Sequence, residues 1–335
     1  MNDPIDMVYT WCSDADARWR EKRIACARRL GVRISGQENG ECRYRDNDDI
    51  RYSLRSLAAH AGWIRRIFIA VDDDAELPAW MDLSNPRLSV VRHSQFMPRE
   101  SLPCFCSDTI EMFLHCIPGL AERFLYANDD MMFFRRAEPS FFYAEDGYPY
   151  CRYGGLKHAG DLSRFTVYRT NLMNSAKLLL GDYGENAELV KACSRYPHHG
   201  IDAYLKSDMR ACFEKYRSVL EPTIEFPFRD ISKYQRFLYL GYAIAEGHGH
   251  FKVARAHAAV RRAWWKRLIV HGWADSLQFV GRNWRVVERE LNRYKPTLFC
   301  CNDTEETTAE DIAEMKATYE RLFPDMSEFE KGGAA

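Results

Sequence analysis

Three short β-prone runs in the first 130 residues empty into polar, acid-rich segments, with helical patterns between them. Ile5 to Trp11 leads to Ser13 to Asp16, Arg66 to Val71 leads to Asp72-Asp73-Asp74, and Arg123 to Ala127 leads to Asn128-Asp129-Asp130. Leu88 to Val91 is a further strand pattern. Between them, Ile50, Leu54, Leu57 and Ala61 recur at helical spacing behind Asp46-Asn47, a pair suited to capping a helix. Ser107 and Asp108 open a second helix with Ile110, Phe113, Leu114 and Ile117 on one face. Strands alternating with helices predict an α/β fold with a mostly parallel sheet covered on both faces. Ligands of such sheets bind beyond the carboxyl ends of the strands, so the acidic strand ends are expected on the edge that does chemistry.

The second half reads as more helical. Ile201 to Tyr216, Ser232 to Glu246 and Thr308 to Leu322 are helix candidates. Thr297 to Cys301 is one more strand, ending in Asn302-Asp303, and Lys331 to Ala335 reads as a frayed tail. With 47 basic and 48 acidic residues the chain has a formal net charge of -1, which excludes the basic excess of a nucleic-acid binder. No run of about 18 apolar residues suggests a membrane span, and Met1-Asn2-Asp3-Pro4 lacks the basic start of a secretory signal. The 11 cysteines are odd in number and lack metal or disulfide spacing, so they read as reduced, mostly buried thiols of a cytoplasmic protein.

Several residue groups are suited to chemistry. Asp129 and Asp130 at a strand end offer hard oxygen donors for Mg2+ or Mn2+, which bridge phosphate oxygens; taken alone, Asn128-Asp129-Asp130 is equally an acidic turn. Asp108-Thr109-Ile110-Glu111 has capping-box spacing, which gives Glu111 a structural reading beside a catalytic one. His199 lies on a loop, where a near-neutral imidazole is the usual acceptor of a hydroxyl proton. Arg229 sits among aromatics in Phe226-Pro227-Phe228-Arg229, suited to stacking or to clamping a phosphate, and Gln235 follows it. From Lys252 to His271, basic residues alternate with Val253, Val260, Trp264, Trp265 and Leu268; as a helix this is either a solvated face over a core or a surface for anionic lipid or an anionic acceptor.

Together these segments resemble the Stealth family of sugar-phosphate transferases, which includes bacterial capsule polysaccharide phosphotransferases and the catalytic subunit of animal N-acetylglucosamine 1-phosphotransferase. The first block is Ile5-Asp6-Met7-Val8-Tyr9-Thr10-Trp11. The second runs from Arg43-Tyr44-Arg45-Asp46-Asn47-Asp48 through Arg51 to Leu57, Trp63 to Ile69, Leu102-Pro103-Cys104-Phe105 and Ile110-Glu111 to Asn128-Asp129-Asp130. The third is His199 with Ala203 and Lys206, then Arg229 to Gln235, and the fourth is Phe299-Cys300-Cys301-Asn302-Asp303. The chain departs from the pattern at Cys12-Ser13-Asp14-Ala15, where only Asp16 keeps its place, at Ile201 and at Cys301; 249–282 has no counterpart.

The resemblance implies a Rossmann-like, GT-A-related core with helical additions, and Glu111, Asp130, His199 and Arg229 as catalytic residues. It implies transfer of a hexose 1-phosphate, an N-acetylhexosamine 1-phosphate by expectation, from a UDP-sugar to a glycan or polysaccharide hydroxyl with release of UMP. Tyr9, Thr10, Trp11, Asp16, Asp46, Asn47, Arg51 and Gln235 are expected at the substrates, and Asp129, Asp130, Asn302 and Asp303 at the metal. The expected division is a nucleotide-sugar core over 1–145, a mostly helical part over 146–296 bringing His199 and Arg229, and a strand and helix over 297–330 returning to the core. The protein is expected in the cytoplasm, with peripheral contact at the inner membrane face through 252–271. The rival readings are a metal-dependent glycosyltransferase that releases UDP and an inactive glycan-binding module.

Overall fold

The computed structural model describes residues 3–35, 39–157, 166–258, 274–280 and 286–333. In chain order its strands are β1 (Ile5–Thr10), β2 (Ile67–Val71), β3 (Leu88–Arg92), β4 (Arg123–Asn128), β5 (Met131–Phe133) and β6 (Tyr150–Leu156). The later strands are β7 (Arg195–Pro197), β8 (Asp202–Leu205), β9 (His250–Val253), β10 (Ala256–Ala258), β11 (Ser276–Val280) and β12 (Leu298–Asn302). The central sheet has the order β3-β2-β1-β4-β8; its first four strands run parallel, and β8 pairs antiparallel to β4. Smaller sheets have the orders β10-β11-β12-β5 and β7-β6-β9. The expected α/β architecture with a mostly parallel sheet is the one the chain adopts.

The central strands are apolar almost throughout because helices cover both faces. Met7, Tyr9, Ile67 and Ile69 pack on Ile50, Leu54, Leu57 and Ala61, at the helix Asp49–His60. Val8, Phe68 and Ala70 face the opposite core with Ile110, Phe113, Leu114 and Ile117. Each fully buried aliphatic side chain contributes about 1.5–3 kcal/mol. The chain lays β2 and β3 on one side of β1, then returns to place β4 on the other. That reversal opens a crevice beyond the carboxyl ends of β1 and β4, where Thr10 lies opposite Asn128. Immediately after Asn128-Asp129-Asp130, β5 turns into the second sheet and pairs with β12, Met131 opposite Cys300. Asn302 and Asp303, at the end of β12, therefore arrive beside the acids that follow β4.

Several sequence expectations are corrected. Residues 202–205 are strand β8, and the helix starts only at Lys206. Ile201, Ala203 and Leu205 enter one core while Tyr204 enters the other, a period of two that the following helix masks. The helix expected over 232–246 spans Phe237–Ala245, because Lys233 is drawn into the interior by Thr109 Oγ1 (2.9 Å) and the carbonyls of Thr223 and Phe226. Asp46 and Asn47 do not cap the helix Asp49–His60; Asp48 precedes it at φ 64° with no side-chain cap. Of the amphipathic stretch 252–271, residues 252–258 are extended or strand, and 259–271 lie outside the described residues. Lys331 is tied down rather than frayed, its N–H donating to Trp80 O at 2.8 Å.

Candidate functional site

Beyond the carboxyl ends of β1, β2, β4 and β12 lies a cleft with a cavity volume of about 150 Å³. Thr10 and Trp11 enter it from β1, Asp72 from β2, Asn128, Asp129 and Asp130 from β4, and Asn302 and Asp303 from β12. Trp19, Tyr44 and Phe105 form an aromatic wall, with ring centroids 5.4 and 5.7 Å from Trp19. The floor is acidic. Burial, then the charges of Asp130 and Asp46, pushes the Asp49 carboxyl well up, and burial with Asp130 and Asp49 does the same to Asp129. Burial raises Asp130 to about 6 against the hydrogen bonds it accepts.

A second compartment of about 130 Å³ adjoins the first and shares Arg43, Ser107, Asn128, Arg229 and Asn302 with it. Glu111, His199, Gln235 and Arg236 line its interior. Glu111 Oε1 accepts from the Tyr126 hydroxyl at 2.9 Å and lies 3.7 Å from Arg236, while Oε2 is buried without a partner among the described residues. Burial, partly offset by Arg236, raises the Glu111 carboxyl to about 7. His199 Nε2 is likewise buried without a partner, and burial reinforced by Arg236 and His198 lowers the ring to about 3, so it is neutral near pH 7. Arg229 donates to Ser107 Oγ at 3.0 Å from the wall between the compartments.

The structure thus brings Glu111, Asp129, Asp130, His199, Arg229, Asn302 and Asp303 into one site, with Thr10, Trp11, Asn47 and Gln235 lining it. The other expected substrate residues do not line the two compartments. Tyr9 is fully buried in the core, where its hydroxyl accepts from Ser53 Oγ at 2.9 Å. Asp16 caps the helix Ala17–Leu30 through Trp19 N (3.1 Å) and also accepts from Glu76 N (2.8 Å). Arg51 donates to Glu330 at 2.6 Å, and Asp46 closes a local turn by accepting from Asp48 N at 3.0 Å. Asp303 lines the cleft but is paired with Arg45 at 2.6 Å, which leaves its carboxylate less free for a metal. Asp108 is no cap: it accepts from Asn171 (3.0 Å) and Gln235 (2.8 Å), and Glu111 is released from the capping reading.

Sequence reasoning missed Asp49, Arg43, Arg236 and Tyr126. Tyr126 lies two residues before Asn128 on β4, so alternation puts both on one face. Its hydroxyl lies 3.0 Å from Thr10 Oγ1 and 3.0 Å from Asn128 Oδ1. Arg236 donates to Asp202 at 2.9 Å and directly follows Gln235, the last residue of the third block.

The donor set fits a hard divalent cation. Asp130 Oδ2 accepts from Asn302 Nδ2 at 2.6 Å, and the carboxylate also takes a hydrogen bond from the Cys300 thiol. Burial holds Asp46, Asp49, Asp129 and Asp130 above the usual carboxylate range, and neighbouring carboxylates add to it at Asp46, Asp49 and Asp129. Asp129 and Asp130 would hold the cation, with oxygen donors of the kind Mg2+ and Mn2+ take.

An acid-floored, two-compartment crevice at the switch point of a parallel α/β sheet is the setting of a transferase, and the relatives agree. Residues 43–151 match conserved region 2 of the Stealth proteins. The receptor polysaccharide phosphotransferase WefC of Streptococcus gordonii is 28% identical over 98% of this chain and 100% of its own length. The exopolysaccharide phosphotransferase CpsY of Mycobacterium tuberculosis is 31% identical over 98% of this chain, which spans 58% of that protein. An exopolysaccharide phosphotransferase of Streptomyces coelicolor is 41% identical over 43% of this chain, a match spanning 15% of that protein. A crystal structure of the galactosyltransferase LgtC with donor and acceptor sugar analogues superimposes at TM-score 0.41, with 9% identity over 95% of each chain. Among the described residues no helix is long and apolar enough to cross a membrane.

Proposed function

We propose that this protein transfers a sugar 1-phosphate, an N-acetylhexosamine 1-phosphate in the first instance, from a UDP-sugar to a hydroxyl of a glycan or polysaccharide, releasing UMP. The observation that carries the reading is the pair of compartments meeting at Arg229 and Asn128. Displacement at phosphorus needs an attacking and a leaving oxygen roughly in line on opposite sides of one atom. The acidic, aromatic-walled cleft suits the diphosphate and base of the donor, and the compartment of Glu111 and His199 suits the acceptor hydroxyl.

The acceptor oxygen attacks the β-phosphorus, the bond to the UMP oxygen breaks, and the hydroxyl proton leaves to the protein. Arg229, held by Ser107, neutralises charge on the moving phosphoryl group. A divalent cation, when bound, would neutralise the diphosphate and the departing phosphate. Asp129 and Asp130 would hold that cation, and Asn302 fixes Asp130. Neutral His199 takes the proton, and Glu111, poised at about 7, shares or relays it. In this reading 1–145 binds the donor, 146–296 brings His199 and Arg229, and 297–330 closes the cation site. Catalysis takes place in the cytoplasm, and the basic stretch 252–271 brings the protein to anionic lipid; liposome binding insensitive to salt would remove that last element.

The released nucleotide tests the reaction. With a UDP-N-acetylhexosamine and a polysaccharide acceptor, UMP is expected; UDP would mean attack at the anomeric carbon and ordinary glycosyl transfer. Donor binding without any nucleotide release would leave only a binding module. Asp130→Ala and Arg229→Ala are each expected to cut turnover by about 100-fold or more while circular dichroism stays native. Near-normal turnover in either variant would remove that residue from the machinery.

A further inference from the structure

We propose that the site contains a second, mutually exclusive metal position, formed by Asp130, His199 and Cys300, that takes Zn2+ in place of the hard catalytic cation. The inference rests on geometry that exists whatever the reaction is. One ligand atom from each of the three residues lies within 4.8 Å of the others. The residues come from three separate places: the end of β4, the loop before β8 and the middle of β12. His199 Nε2 is a buried polar atom without a partner among the described residues, and the Cys300 thiol already donates to the Asp130 carboxylate, so the three side chains face one another. Cys300 is fully buried and lines neither compartment, whereas Asp130 lines the first and His199 the second.

The donor chemistry selects the ion. One carboxylate oxygen, one imidazole nitrogen and one sulfur are a borderline-soft set that suits Zn2+, whereas Mg2+ keeps to oxygen. Zinc bonds of about 2.0–2.3 Å place ligand atoms closer together than they now stand, so small side-chain rotations complete the site. Binding is balanced by loss of one proton: the Cys300 S–H bond breaks, sulfur keeps the electron pair and bonds Zn2+, and the proton goes to solvent. With one carboxylate, one thiolate and one neutral imidazole the filled site has no net charge, which relieves the crowded acids around Asp49 and Asp129. Zinc there occupies Asp130 and His199 together, which on the proposed function removes a cation ligand and the proton acceptor at once.

The test is binding of Zn2+, and of Co2+ as its coloured substitute, to the full metal-free chain without donor or acceptor. One equivalent is expected, with a thiolate-to-cobalt charge-transfer band, one proton released and competition by excess Mn2+. Cys300→Ala is expected to abolish the band and weaken Zn2+ binding by at least about tenfold. Cys300→Ser, which keeps the size of the side chain, is expected to do the same if the alanine variant does not fold. An unchanged Zn2+ affinity in a folded Cys300 variant, or a band that survives it, overturns the proposal. Because these readouts need no turnover, failure of the sugar-phosphate reading leaves them intact. Where UMP release is observed, micromolar Zn2+ should suppress it in the native chain and much less in the Cys300 variants.

Discussion

Tyr126 shows how one hydroxyl sets the site. Its oxygen accepts from the Thr10 hydroxyl and its single proton is shared between the Glu111 and Asn128 oxygens, all at 2.9–3.0 Å, which ties both compartments to one strand. Tyr126→Phe keeps the ring in the core and removes only this junction. The bond to Glu111 favours the charged carboxylate, so its loss shifts the Glu111 midpoint upward from about 7. Turnover at neutral pH is expected to fall about 10- to 100-fold, with KM changed less, and the acidic limb of the kcat/KM profile is expected to move to higher pH. A profile that keeps its limb would show that Glu111 is not the group that titrates there. The sequence exposed Glu111 only as half of a capping box. Spacing along a helix reveals neighbours three or four residues away, and the partner that matters is a tyrosine on a strand 15 residues on.

Elements were legible where they were long and periodic, and illegible where tertiary partners override local pattern. The helix Asp49–His60 follows from Ile50, Leu54 and Leu57, yet the strand β8 was absorbed into a helix because four residues are too few to display alternation against it. The C-terminal segment is the clearest case. Glu330 is buried in the fork of Arg55, whose Nε and Nη2 donate at 2.7 and 2.9 Å, and it also accepts from Arg51 (2.6 Å) and Ser327 N (2.9 Å). These contacts staple residues 327–331 to a helix some 270 positions earlier, so no local pattern announces them. Burial alone would raise the Glu330 carboxyl; Arg55, Ser327 and Arg51 overcome it and bring it from 4.5 to about 2. A depressed carboxylate stabilises the fold fully above its unfolded value and loses that contribution as pH falls toward the folded value. Unfolding followed between pH 5 and pH 2 is therefore expected to show a loss of stability that is absent in Glu330→Gln. At neutral pH that variant should be about 3–5 kcal/mol less stable, since two arginines lose a buried counter-charge. Equal denaturation midpoints for the two proteins would refute this.

At the scale of the molecule, the site is a seam between two sheets. The acids that follow β4 close the central sheet, and β5 begins the second one within a residue of them. Asn302 returns from β12 to hold Asp130 across 172 positions, and the backbone bond from Cys301 N to Asp130 O (3.2 Å) fixes the same seam. The sequence carried the strand-end acids and the order of the sheet, but not this closure, which exists only once β5 and β12 pair. The seam as it stands gathers Asp46, Asp49, Asp129 and Asp130 with their proton affinities raised, a repulsion that the packing of both sheets sustains. A divalent cation bound there removes repulsion only in the folded chain, so by linkage it must stabilise the whole fold: about 2.7 kcal/mol at a free concentration one hundred times Kd. Mn2+ titrated against the metal-free protein is expected to raise Tm by several degrees. Asp130→Asn, which removes one of the crowded charges, is expected to start from an equal or higher Tm and gain little from the metal. If Mn2+ leaves the native Tm unchanged at millimolar concentration, the seam does not hold a cation tightly. The acids would then act by hydrogen bonding alone.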